Sequence, residues 1–199
     1  MTMISLIVVE SMQSALGAEG SNESDQQHWQ ECFMVAQELA TLLWRDINKV
    51  IEQVRAFPED RLLWETRPGV SNSAGNLALH LIGNLSEYIG RQIGCVAFTR
   101  QRPKEFSDKG VSANELITRL EQVAELTHRI VAGLTETTLS AKYPELVLGY
   151  EMTTVHFLIH LLGHLNYHLG QMDYLRRMLT GDGAIQYPKR LIPSNAAVL

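Results

Sequence analysis

Apolar residues recur at three- and four-residue intervals through long stretches of this chain, and no stretch alternates convincingly as a strand would. Such spacing lays a hydrophobic stripe along one face of a helix, and a stripe of that kind is buried by packing helices against one another. Trp29, Cys32, Phe33, Ala36, Leu39, Leu43, Ile47, Val50, Ile51 and Val54 mark a first helix over roughly 26–56. A second, about 73–97, follows the Pro68-Gly69 turn and takes Ser71 or Ser73 as its N-cap. The third opens at Ser112-Ala113-Asn114-Glu115, which matches a capping box, and continues through Leu116, Leu120, Val123, Leu126, Ile130 and Leu134. The fourth, about 153–180, starts near Thr153 or Thr154 and stops before Gly181.

The expected fold class is therefore all-α, a four-helix bundle. Long connections follow helices one and three, so not every pair of consecutive helices should be a short hairpin. The bundle is expected over residues 26–181, with a loosely attached, poorly ordered N-terminal extension (1–25) and a C-terminal tail (182–199). The run Thr99-Arg100-Gln101-Arg102-Pro103-Lys104-Glu105-Phe106 reads as a polar connection, too charged to be core.

Composition narrows the function classes. A chain of 199 residues can bury one continuous core. Its formal charge of −5 and the lack of a basic stripe argue against nucleic acid as a partner. No unbroken apolar run reaches the roughly 18–20 residues of a membrane span. Met3–Val9 is apolar, but no Lys or Arg precedes it and it ends at Glu10, unlike a secretory signal. A cytoplasmic location follows by default. Cys32 and Cys95 make no CxxC pair and read as small buried hydrophobes in a reducing compartment.

The histidines carry the chemistry. Of seven, His80, His156, His160, His164 and His168 fall in helices two and four. At about 100° per residue, His168 lies only about 40° from His164, and both sit inside the stripe formed by Phe157, Leu161, Leu165, Met172, Leu175 and Leu179. Asn166, Asp173 and Arg177 fall on the opposite side, where a wet face is expected. Helix two offers a matching polar line, His80, Asn84, Glu87 and Arg91, within about 60° on an otherwise apolar helix. So apolar a helix should be covered on several sides, if need be by a second subunit. Two histidines one turn apart can bind one metal ion, and a third from a facing helix leaves coordination positions open for water or substrate. Imidazole donors suit zinc, nickel, iron or copper, and no carboxylate or thiolate joins to narrow the choice.

A plainer reading makes the three histidines hydrogen-bonded core groups, and Glu87 and Arg91 an internal i, i+4 ion pair. His156 and His160 drift toward the edge of the stripe, while Gln171 is better aimed at the site. An alternative is a non-catalytic metal-binding bundle or scaffold protein, in which the metal ties helices two and four together in a closed site with a fourth protein ligand such as His160. Haem held by histidine and methionine is a third possibility.

The run His164-Leu165-Asn166-Tyr167-His168-Leu169-Gly170-Gln171 resembles the H-x3-H-x-G-Q signature of the DinB-like metal-dependent four-helix bundles. Asn76-Leu77-Ala78-Leu79-His80-Leu81, entered through Ser71-Asn72-Ser73, fits the place of that family's third histidine. The likeness spans about residues 27–180, and the 100–106 stretch resembles an uncharacterised subgroup. The resemblance implies a divalent metal ion (zinc, nickel or iron) on His80, His164 and His168. Some members resemble bacillithiol S-transferases and mycothiol-dependent isomerases, so it further implies a transferase or hydrolase acting on a small molecule, with a low-molecular-weight thiol as a candidate partner. Glu87 and Arg91 would then be the candidate catalytic groups that orient or neutralise substrate, with Asn84, Gln171 and His160 beside them. Gly163 and Gly170 share a side of helix four away from the histidines, where a second copy could approach to form a homodimer.

Overall fold

The computed structural model describes residues 23–188, so the expected extension lies almost wholly outside the described residues, as does the tail from 189 on. Four long helices carry the core: α1 (Glu23–Arg55), α2 (Ala74–Leu85), α4 (Ala113–Ala132) and α6 (Thr154–Thr180). Two short helices, α3 (Arg102–Ser107) and α5 (Glu136–Ser140), and a single 3-10 turn at Asp60–Trp64 occupy the connections. Among the described residues there is no strand, only isolated bridges at Lys142–Thr153 and Val147–Tyr150.

The helix ends follow the residues that cap them. Ser73, Ser112 and Thr153 each accept a hydrogen bond from the backbone three residues on, and Gly181 closes α6 at φ 78°. The Ser112 box forms by half: Ser112 Oγ accepts from the Glu115 amide, while the Glu115 carboxylate turns outward to Arg119.

The helices form a ring in which α1 packs on α4 and α6, and α2 packs on the same two. Hence α1 lies diagonally across from α2, and α4 across from α6. Both diagonal steps coincide with the long connections, which must cross an end of the bundle. Ala36, Ala40, Leu43, Ile47, Val50 and Val54 of α1 are wholly buried in the shared core. Each large aliphatic side chain so buried contributes about 1.5–3 kcal/mol.

Three expectations need correction. The second helix is regular only to Leu85; Ser86–Arg91 widens into a π turn, with Gln92 N bonding Glu87 O and Gly94 N bonding Ile89 O. The charged 99–106 stretch is not outside the core: it includes α3, which packs on α2, and its Glu105 is only 6% exposed. Cys95 is exposed and adopts φ 53°, so it is not a buried hydrophobe; the Cys32 side chain lies outside what is described. The apolar helix α2 is covered within the chain by α3, α4 and α6.

On its α1 side, α6 carries a second polar feature. Arg176, 1% exposed, donates to Gln53 Oε1 (2.8 Å), Asp173 Oδ1 (3.2 Å) and the Gly183 carbonyl (2.8 Å). Gln53 in turn donates to Asp173 and to the Tyr187 hydroxyl, tying the start of the tail to the bundle. One helical turn pair away, Asn166 donates to the fully buried Asp46, which also pairs with Arg45 and Lys49. The face of α6 opposite the histidines is thus partly sealed by α1.

Candidate metal centre

Helices α2 and α6 bring three imidazoles to one point. His80 Nε2 lies 3.2 Å from His164 Nε2, and His168 Nε2 lies 3.0 Å from the same atom. The i, i+4 pair stands one turn apart on α6, its rings perpendicular with centroids 4.4 Å apart. His80 approaches edge-on from α2, and one ligand atom from each residue falls within 4.8 Å of the others. His80 is buried; His164 and His168 are partly exposed, so the cluster sits at the edge of the core with one side toward solvent.

The outer nitrogens define the inner ones. His80 Nδ1 is 2.8 Å from Glu105 Oε2, and a carboxylate only accepts, so Nδ1 carries the proton and Nε2 the lone pair. His168 Nδ1 is 2.7 Å from Gln171 Oε1, which fixes the same tautomer. His164 Nδ1 is buried without a partner.

Glu105 reaches His80 because the chain clears a path. Arg100 grips both carboxylate oxygens, Nε to Oε1 at 2.7 Å and Nη2 to Oε2 at 2.9 Å. The Asn76 amide holds the α3 backbone by the Glu105 and Asp108 carbonyls, each at 3.0 Å. Phe106 packs on the His80 ring at 5.0 Å between centroids. Gly83 is needed beneath: a Cβ there would stand 2.1 Å from Glu105 Oε1.

Electrostatics disfavour the charged form of the two α6 imidazoles. Burial first, and then the charges of His168 and His80, push the His164 imidazole down to about 4. Burial also lowers His168, against the Gln171 hydrogen bond, which raises it. For Glu105, burial pushes the carboxyl up, but hydrogen bonds from His80 and Arg100 and the Arg100 charge together hold it below the ordinary carboxylate range.

A divalent ion fits this donor set. Two of the three Nε2 atoms are lone pairs by tautomer, and a single proton on His164 Nε2 could satisfy one of them but not both. Tetrahedral bonds of about 2.0–2.1 Å set ligand nitrogens about 3.3–3.4 Å apart, close to the spacing found. Nitrogens so close surround one point and do not straddle a macrocycle.

The other candidates separate into four groups. Asn84, one turn beyond His80, is buried and its Oδ1 has no partner. Glu87 and Arg91 form the i, i+4 ion pair, with Arg91 Nε 2.7 Å from Glu87 Oε1, and they line a recess of about 450 Å³ with Tyr88, Phe98, Arg100 and Glu145. Gln171 holds His168, as described, and borders a second hollow of about 350 Å³ with Val70, Leu77 and Tyr174. His160 is exposed, stacks on Phe157 at 5.8 Å and stands outside the converging three; His156 is exposed as well.

Sequence reasoning missed Glu105 and Arg100. The signals were present: opposite charges five residues apart, enclosed by Phe98 and Phe106, and a glycine at 83 that the helical pattern left unexplained.

The fold and site define a helical bundle with a three-histidine cluster able to hold a metal ion. Residues 40–172, about two-thirds of the chain, match the DinB superfamily, and the chain belongs to it. Among solved structures it is similar to a DinB-like protein from Bacillus cereus ATCC 10987, at TM-score 0.53 and 21% identity, over 70% of this chain and 91% of that one. That likeness concerns the fold. No curated protein matches the chain.

Proposed function

We propose that this protein is a divalent-metal-dependent enzyme acting on a small molecule, with His80, His164 and His168 as the metal ligands. The observation that carries this reading is the convergence of three Nε2 atoms while Glu105 and Gln171 hold two of the outer nitrogens as donors. When bound, the ion supplies a Lewis acid that lowers the pKa of a thiol or water. The protein's own part is to hold three converging imidazoles and leave one side of the cluster open. Among the described residues no fourth His, Cys, Asp or Glu joins the group, which favours an open site over a closed structural one.

The recess lined by Glu87, Arg91 and Arg100 supplies charged groups for a polar substrate. Asn84 Oδ1, a buried acceptor lacking a donor, supplies a further hydrogen bond. Thiol transfer is the reaction we favour, because some members of the family resemble thiol-dependent transferases and isomerases, with hydrolysis second.

Elemental analysis of untagged protein tests the metal reading. About one zinc, nickel or iron per chain is expected in wild type and none in His164→Ala. A wild-type chain that stays metal-free after incubation with each ion and removal of excess would overturn it. With metal established, the loaded protein is screened against electrophiles with and without low-molecular-weight thiols, and then against hydrolysable esters and amides. Turnover lost in His164→Ala assigns the reaction; no turnover on either set would leave a metal-binding protein and overturn the enzyme.

A further inference from the structure

We infer that Glu105 is the positioning residue that makes His80 a metal ligand, and that Arg100 and Gly83 serve Glu105 in that task. The inference rests on the metal reading above and deepens it.

Without Glu105, His80 has a competing arrangement close at hand. Its Nε2 is 3.2 Å from His164 Nε2, so a proton moved from Nδ1 to Nε2 would create a hydrogen bond between the two rings. That tautomer directs an N–H where a ligand must present a lone pair. The Glu105 carboxylate prevents it by accepting from Nδ1 at 2.8 Å. Arg100 occupies the carboxylate from its other side, so neither oxygen is free to turn away. Arg100 Nη2 is also 3.4 Å from His80 Nδ1, but two donors facing each other cannot bond, which leaves the carboxylate as that nitrogen's acceptor.

Gly83 supplies independent support. It sits in the last turn of α2, within a helical run that continues through the π turn, where glycine costs helix stability relative to alanine. A Cβ at that position would collide with the end of the Glu105 side chain, 2.1 Å from Oε1 and 2.8 Å from Cδ. The glycine therefore serves the carboxylate and not the helix. Asn76 fixes the same segment through its backbone, so the carboxylate is aimed by contacts on both sides.

Two substitutions test this without removing any ligand. Glu105→Gln keeps the shape but replaces one acceptor oxygen with a donor: its amide must face either Arg100 or His80 with the wrong polarity. Gly83→Ala alters no polar group and displaces only a flexible side-chain end. Zinc affinity is measured by competition with a chromophoric chelator, and the His80 tautomer by nitrogen NMR of the metal-free protein. Each variant is expected to bind zinc about ten- to a hundred-fold more weakly. In the same samples His80 should shift from the Nδ1–H form of wild type toward Nε2–H, with helical content unchanged. Zinc affinity within twofold of wild type in both folded variants, or a His80 tautomer unchanged in both, would overturn the inference. Should Glu105→Gln fail to fold, Gly83→Ala decides alone. The tautomer measurement uses no metal, so it stands or falls separately from the metal reading.

Discussion

Helix α6 carries two buried polar regions, around His164 and Arg176, about three turns apart, and they are built on opposite principles. Around Arg176, each donor meets an acceptor: Gln53, Asp173, Gly183 and Tyr187 close the network, and none of its buried side-chain atoms lacks a partner. Around His164, the inner nitrogens face one another, His164 Nδ1 is alone, and Asn84 Oδ1 nearby in sequence to His80 is unmatched too. Burying an unpaired polar atom costs about 1–3 kcal/mol, so a fold keeps such atoms where they serve something outside itself. The paired region holds the bundle together; the under-paired one is able to hold a metal ion.

Substitution should separate the two regions cleanly, and the largest effects come first. His168→Ala should abolish metal binding in elemental analysis while changing metal-free stability by no more than about 1 kcal/mol. Arg176→Met should do the reverse, costing about 3 kcal/mol in urea denaturation by stranding Gln53 and the Gly183 carbonyl while metal content stays at the wild-type level. Metal lost with Arg176, or a chain unfolded by loss of His168, would break the division.

Acid should sharpen it. His164 titrates near 4 in the fold and near its ordinary value of about 6.5 when unfolded, so between these values the unfolded chain binds more protons. Metal-free stability is therefore complete, as far as this group is concerned, above about pH 6.5 and falls as pH drops toward 4. Stability against pH, measured for wild type and His164→Gln, should show a shallower decline in the variant. Equal slopes would show that the cluster does not hold His164 neutral.

Smaller effects lie on the outer face of α6, where a Cβ at Gly163 or Gly170 meets nothing within 4 Å. Alanine at each should add up to about 1 kcal/mol in thermal or chemical denaturation of the monomer. If a second copy packs there, the same changes should instead weaken a dimer seen by analytical ultracentrifugation, which makes Gly163→Ala the test of the expected homodimer. Gly181→Ala, at φ 78°, should cost about 1 kcal/mol.

Much of this was legible in the residues because helices announce themselves locally. Ser112, Thr153 and Gly181 mark their own ends, and the four-residue spacing of His164 and His168 places both rings by arithmetic. Glu105 was easily passed over, because a buried ion pair uses the same residue types as a solvated loop, and Arg100 was its hidden partner. The π turn at Ser86–Arg91 escaped for a related reason: a helix widened by one residue keeps an apolar pattern that a regular helix also explains. Tertiary pairing, not local propensity, decided the burial of Glu105.

The placing of His80 on α2 and of His164 and His168 on α6 has a consequence for the chain as it is made. A growing polypeptide that has left the ribosome through α5 presents His80 alone, and one imidazole is a poor trap for a divalent ion. The partner pair emerges with the last long helix, whose docking against α1 and α2 also completes the ring. A cluster able to hold a metal ion is thereby incomplete until translation has delivered the whole bundle, and a truncated product would carry only part of it.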